Sequence, residues 1–314
     1  MVSEMDGKRW IGGKAAGCLL ACILAAVSGC QSVGMLAIDL TNTMALLGPF
    51  HEHRNIAYGP DPVQKLDLYV PEDGAKPAPV VVFFFGGNWT QGYPDKSIYR
   101  FVGDALTSKG LLVVAVNYRR YPMVKSPAFV RDGARAVVWV HRHIAAYGGD
   151  PDRIFLMGHS AGAQIATMLA LNNDYLLLAG GNPHWIRGVI AMAGPFEFLP
   201  NPQMPWLDPI FGPPSQYAYS QPINFVHPYE PPLLILNGAD DTTVPLKVAH
   251  LMEKRLQQED CPYQAKVYPG LDHLMLLGAL AFPVRLNQPV LGDIAAWVRQ
   301  QDQTGLAPAE VSRQ

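Results

Sequence analysis

Five nearly continuous apolar runs constrain this chain more than any other feature. Val80 to Phe85, Leu111 to Val116, Ile154 to Met157, Ile186 to Met192 and Leu233 to Leu236 are rich in β-branched residues and show little polar alternation. Apolar runs of about four to eight residues read as strands buried on both faces, which is the condition of parallel sheets covered by helices. Lys65 to Val70 instead alternates polar and apolar, which predicts a half-buried edge strand, and Ala265 to Tyr268 reads as a last short strand. Between the runs lie helical patterns. Ala128 to Tyr147 carries Val130, Ala134, Val137, Val138 and Ile144 at helical spacing and stops at Gly148-Gly149, as a helix C-terminus should. Ala161 to Leu171, Pro245 to Gln258 and Val290 to Arg299 are further helices. This alternation predicts an α/β fold with a mainly parallel central sheet and helices on both faces. With 314 residues, 49% of them hydrophobic, the chain fits one large domain better than two small ones.

One stretch departs from the rhythm. Pro195 to Pro232 is dense in proline and aromatics, including Trp206, Phe211, Tyr217 and Tyr219. Proline at that density excludes a long helix or a central strand. The stretch predicts an ordered excursion over the rim of the sheet with short helical turns, and long loops of this kind are commonly lids or binding loops.

The N-terminus belongs to a different class of sequence. Lys8, Arg9 and Lys14 precede the apolar segment Ala15 to Val27, which ends in Val27-Ser28-Gly29-Cys30. Positive charges followed by a short apolar segment and small residues predict a secretory signal over residues 1–29, too short to span a bilayer as a helix. The tetrad resembles a bacterial lipobox, which implies a lipid on Cys30 and an exported, membrane-anchored lipoprotein. Gln31 after the cysteine, with no aspartate there, resembles the sorting pattern of known lipoproteins, which implies the outer membrane or periplasmic face. Cys22 is a weaker candidate, and ordinary cleavage near Ser28 or Gly29 is the alternative. Residues 30–60 then read as a tether and N-terminal arm, 61–300 as the α/β domain and 301–314 as a tail. Of the four cysteines, Cys18 and Cys22 leave with the signal, so Cys261 has no intrachain partner unless Cys30 is unlipidated. A net charge of -2, with 16% charged residues and no basic run, gives no footprint for nucleic acid.

The chemistry concentrates where strands end. Ile154 to Met157 runs into Gly158-His159-Ser160-Ala161-Gly162, and Ala163 to Ala166 continues as a helix. Strand, sharp turn and helix start put Ser160 in a strained elbow, with flanking glycines making room for the turn and the helix N-terminus presenting free N–H groups. A serine hydroxyl needs a base to remove its proton. In a fold with such an elbow, an acid and then a histidine follow the serine along the chain. Past Leu233 to Leu236 stand Asp240 and Asp241, either of which could orient an imidazole. Past the next strand stands His273, which would act as general base and then acid. His51, Glu52 and His53 lie in the arm, and His141 and His143 share no helix face, so no residue set resembles a zinc site, and neither metal nor cofactor is expected.

These stretches together resemble the α/β-hydrolase superfamily, in its esterase/lipase group near bacterial carboxylesterases and isoprenylcysteine methylesterase-like (BD-FAE-like) enzymes. The resemblance rests on Gly86-Gly87-Asn88-Trp89, Asn117-Tyr118-Arg119 with Tyr121-Pro122, Tyr147-Gly148-Gly149-Asp150-Pro151 and Gly158 to Gly162. Gly238 to Pro245 and Tyr268-Pro269-Gly270 with His273 extend it, so it covers about Asp67 to Val298. It implies Asp241 as the acid, since the family pattern G-x-x-D-x-x-V counted from Gly238 lands there with Val244 in register. It also implies an oxyanion hole from backbone N–H groups near Gly86, Gly87 and Asn88, joined by Ala161. Where the family usually begins that turn with histidine, this chain has Phe85. Because the hole needs N–H groups, Phe85 is expected to fill volume beneath the loop by packing. Trp89, Tyr93, Leu274 and Met275 are expected to form an apolar wall, which suits a small to medium, fairly apolar ester. Two other readings remain: an amide-cleaving hydrolase on the same fold, and an inactive lipid-anchored binding protein, for which Phe85 is the motif-level argument.

Overall fold

A computed structural model describes residues 31–73, 77–93, 95–228 and 230–303. Its centre is an eight-stranded sheet in the order β1-β2-β4-β3-β5-β6-β7-β8. The strands are β1 (Phe50–Ala57), β2 (Lys65–Pro71), β3 (Ala78–Phe84), β4 (Leu112–Val116), β5 (Gly149–His159), β6 (Ile186–Met192), β7 (Leu233–Gly238) and β8 (Tyr263–Tyr268). β1 and β2 run antiparallel at one side, and every pairing from β4 to β8 is parallel. The five apolar runs are the five central strands, buried along nearly their whole length. The mainly parallel α/β architecture expected from the sequence is therefore the observed one.

Longer helices are α1 (Gln31–Ala45), α2 (Arg100–Thr107), α3 (Ala128–His143), α4 (Ala161–Leu171), α7 (Leu246–Gln258) and α9 (Val290–Gln303). Short ones are α5 (Asp174–Leu178), α6 (Asp208–Phe211) and α8 (His273–Gly278). Consecutive side chains of β3 show how both faces are covered. Phe83 meets Tyr99, just before α2, with ring centroids 5.7 Å apart, and on the same face Phe155 meets Trp297 of α9. Phe84 points the other way, towards Gly133 of α3, which also packs against Ile165 and Leu169 of α4. Layers on both faces remove about 25 cal/mol of unfavourable hydration for each Å² of apolar surface they cover, which is why these strands need no polar face.

Two expectations are corrected. Lys65 to Val70 is not an edge strand: β1 pairs along it, six of the seven β2 residues are buried, and the polar Asp67 is fully buried. Its alternating polarity survives burial because Asp67 is neutralised by Lys96, whose Nζ donates to its carboxylate at 2.6 Å. The stretch read as tether and arm is also largely regular. It forms α1, docked to the N-terminus of α2 by Asn42, whose Nδ2 donates to the Ile98 carbonyl and whose Oδ1 accepts from the Phe101 N–H. It then forms β1, the edge strand itself. Cys30, the signal segment and residues 304–314 lie outside the described residues. Among the described residues, no helix is long and apolar enough to cross a membrane.

Candidate active site

The elbow is built backbone against backbone. A Cβ on Gly162 would lie 2.0 Å from the Phe84 carbonyl oxygen, and one on Gly158 would lie 2.2 Å from the Gly162 oxygen. With both glycines bare, α4 starts directly over the end of β3. The chain reverses at Ser160, which sits at φ 55° and ψ -123°, in a region L-residues with a Cβ rarely occupy. Its N–H donates to the Met192 carbonyl at 2.9 Å, which fixes the turn to β6.

Past β7, Asp241 is held by the loop that carries it. Its Oδ1 accepts from the N–H groups of Thr243 and Val244, both at 2.8 Å. Its Oδ2 faces His273 Nδ1 at 2.8 Å, and its side chain has no solvent exposure. Burial by itself would raise the Asp241 pKa, yet the bonds from His273, Val244 and Thr243 outweigh it and hold the carboxyl below its ordinary value. An ionised carboxylate only accepts, so Nδ1 of His273 carries a proton, and in the neutral imidazole it is Nε2 that holds the lone pair. Asp240, the other candidate from sequence, is exposed and stands apart from this pair. The structure thus joins Asp241 to His273 directly. Among the described residues no hydrogen bond joins the Ser160 hydroxyl to His273; the neighbour of Ser160, His159, has its Nε2 2.8 Å from the His273 carbonyl.

The turn after β3 has three consecutive residues at positive φ: Gly87 at 117°, Asn88 at 54° and Trp89 at 56°. Such a run turns successive N–H groups towards one side of the chain. Among the described residues, no acceptor meets the N–H of Gly86, Gly87, Asn88 or Ala161. The turn is fastened from outside. The Tyr121 N–H donates to the Trp89 carbonyl, the Gln91 N–H donates to the Tyr121 carbonyl, and the Tyr118 hydroxyl donates to the Phe85 carbonyl at 2.7 Å. Phe85 is 1% exposed and stacks on Tyr118 and Tyr99 at 4.8 and 5.4 Å, so it packs beneath the loop as expected.

Ser160, Asn88 and Trp89 open onto a cavity of about 650 Å³. The proline-rich excursion, which contains the short helical turns expected of it, lines this cavity with Phe198, Leu199, Met204 and Leu207, and Val244 and Val248 line it as well. The apolar wall differs from the one predicted. Trp89 belongs to it, whereas Tyr93, Leu274 and Met275 do not. Tyr93 turns aside to accept a bond from Asn88, and Leu274 is exposed because α8 directs Leu276 and Leu277 into the core instead.

Two residues that the sequence gives little reason to single out organise this wall. Gln164, fully buried on α4, accepts from the Trp89 indole N–H at 3.1 Å and donates to the Ser220 carbonyl at 2.8 Å. Gln221 accepts from the N–H groups of Phe198 and Leu199. Trp89 is then clasped by Phe198, stacked at 5.3 Å, and Phe211, edge-on at 4.9 Å. Two of the other histidines have structural partners: His141 stacks on Trp185, and His143 bonds the Trp139 carbonyl. Cys261 is buried and unbridged, with its thiol on the His227 carbonyl. Among the described residues, no group of three or more His, Cys, Asp or Glu side chains is arranged to hold a metal ion.

The sheet order, the glycine-packed elbow after β5 and the acid and histidine loops after β7 and β8 define an α/β-hydrolase. Solved structures of similar shape agree on the fold. A truncated carbohydrate esterase from gut microbiota superposes with a TM-score of 0.72 at 19% identity, covering 82% of this chain and 98% of that one. An inhibited esterase B from Lactobacillus rhamnosis gives 0.72 at 20% identity, covering 91% and 97%. The chain belongs to the BD-FAE family, whose model matches residues 66–256. Among curated relatives, an isoprenylcysteine alpha-carbonyl methylesterase of Arabidopsis thaliana is 28% identical over 81% of this chain and 63% of its own length. Esterase LipQ of Mycobacterium tuberculosis is 31% identical over 69% of this chain and 56% of its own length. The chain spans between about half and two thirds of the length of the plant relatives it matches.

Proposed function

We propose that this protein is a carboxylic-ester hydrolase that works through an acyl-enzyme on Ser160. The observation that carries the reading is the Asp241–His273 hydrogen bond beside the elbow that brings Ser160 to the cavity. In the proposed reaction, Ser160 Oγ attacks the ester carbonyl while His273 Nε2 takes its proton. The N–H groups of Gly86, Gly87, Asn88 and Ala161 receive the developing oxyanion, and losing one such donor typically costs about 3 to 4 kcal/mol. The alcohol departs with the proton from His273, and water repeats the sequence to free the acid and the serine. The two curated relatives described above, one named a methylesterase and the other an esterase, support the same bond class. An apolar wall of Trp89, Phe198, Leu199 and Leu207 suits an ester with a small to medium group of low polarity.

The test is hydrolysis of nitrophenyl esters of graded acyl length, beside the matching anilides, by wild type and Ser160→Ala. Wild type should cleave short esters faster than anilides, and the variant should lose at least about a thousandfold in rate. Equal rates in the two proteins would refute the proposal.

A further inference from the structure

His159, the variable position inside G-x-S-x-G, reads from sequence as filler beside the nucleophile. Its surroundings give it a task. The side chain is 3% exposed and lies between three parts of the site. Towards the histidine loop, Nε2 is 2.8 Å from the His273 carbonyl oxygen, and the two imidazole rings are 4.8 Å apart at 44°. Towards the oxyanion turn, a Cβ on Gly86 would come within 3.2 Å of Nδ1 and 3.1 Å of the Ser160 Cβ. Through its own backbone, His159 ends β5 and precedes the serine. A carbonyl oxygen only accepts, so Nε2 carries the proton and the tautomer is fixed.

We infer that His159 is a positioning residue that ties the backbone of the base, His273, to the strand carrying the nucleophile. The inference rests on the reading of Ser160 and His273 as nucleophile and base. The need for such a tie follows from where His273 sits. It is the first residue of α8, a six-residue helix. Asp241 holds its ring through Nδ1, and Asp272 caps the turn after it by accepting from the Leu274 and Met275 N–H groups. Neither bond fixes the His273 main chain relative to β5, and the His159 bond does. Burial first, and then the neighbouring His273 ring, push the His159 pKa down to about 3, so it stays a neutral donor at the pH values where esters are assayed. Misplacing a base by a fraction of an ångström is felt in the chemical step, and less in ground-state binding.

The experiment compares His159→Met and His159→Phe, two apolar side chains of different shape, with His159→Gln, whose amide nitrogen can reach the place of Nε2. All are assayed on a nitrophenyl butyrate, with sites counted by phosphonate titration so that kcat refers to folded enzyme. The expected result is a fall in kcat of about tenfold or more in the Met and Phe variants, with KM within about threefold, and recovery in the Gln variant to within about threefold of wild type. Wild-type kcat in either apolar variant would overturn the inference. So would an equal loss in all three variants that tracks their melting temperatures. Should wild type itself match Ser160→Ala, the esterase reading fails, which the His159 series alone cannot produce.

Discussion

Replacing Asp241 by asparagine keeps its shape and changes one atom from acceptor to donor. In wild type, Oδ1 takes two loop N–H groups and Oδ2 takes His273 Nδ1, each at 2.8 Å. Asparagine has one oxygen for these roles. If its amide nitrogen faced the Thr243 and Val244 N–H groups, two donors would be orphaned at about 1 to 3 kcal/mol each. The oxygen therefore stays with the loop, and the amide N–H₂ faces Nδ1. The imidazole proton must then move to Nε2, the atom that has to accept from Ser160. A triad locked in the wrong tautomer loses about four orders of magnitude in kcat, or about 5.5 kcal/mol. Because Asp241 does not line the cavity, KM should stay within about threefold. Steady-state hydrolysis of a nitrophenyl ester measures both. Retention of more than about a tenth of wild-type kcat would refute the tautomer argument.

The same variant has a stability signature. The Asp241 pKa is depressed in the folded protein, so its contribution is present above the ordinary carboxylate pKa of about 4. That contribution is lost as pH falls through the lower folded value, and Asp241→Asn should flatten this part of the acid limb in denaturation curves.

Phe85→His should leave ester hydrolysis within about tenfold, a barrier change of about 1.4 kcal/mol, since the turn is held through the Phe85 carbonyl and not its ring. It should cost about 1 to 3 kcal/mol in stability, because polar ring nitrogens enter the stack between Tyr99 and Tyr118; a gain of several hundredfold in rate would show the loop to be impaired as it stands. Gly162→Ala should lose at least about 3 kcal/mol or fail to fold, given a Cβ 2.0 Å from the Phe84 oxygen; a melting curve like wild type would contradict the backbone-to-backbone elbow. Cys30→Ser should move the full-length protein from the membrane to the soluble fraction of an exporting bacterial host, and an unchanged distribution would argue against lipidation.

How much of this was legible in the sequence differs by part. The central strands were legible because a strand buried on both faces is apolar without interruption, and Val80 to Phe85 has no other comfortable place. The elbow was legible because Gly158 and Gly162 are demanded by backbone contacts, which leave a fixed spacing in the chain. An acid after β7 and His273 after β8 were legible because each follows its own strand in the required order. That order left Asp240 and Asp241 open, and only the resemblance to the family pattern counted from Gly238 singled out Asp241. Lys65 to Val70 misled, because its alternation records a buried ion pair of Asp67 with Lys96, 29 residues further on. α2 escaped because a short helix carrying Gly103 and Thr107 has weak propensity and is formed by packing. Gln164, Gln221 and His159 carried no sequence signal at all. Their roles depend on partners 22 to 114 residues away, and only the folded chain brings those together.

The proposed mechanism requires that Ser160 Oγ is the atom that becomes acylated. Treating the protein with a nitrophenyl phosphonate and mapping the adduct by peptide mass spectrometry asks this directly. The expected result is one adduct per chain, on Ser160, formed in step with loss of esterase activity, absent in Ser160→Ala and slowed in Asp241→Asn. An adduct on another residue, or full esterase activity with Ser160 unmodified by excess reagent, would contradict it.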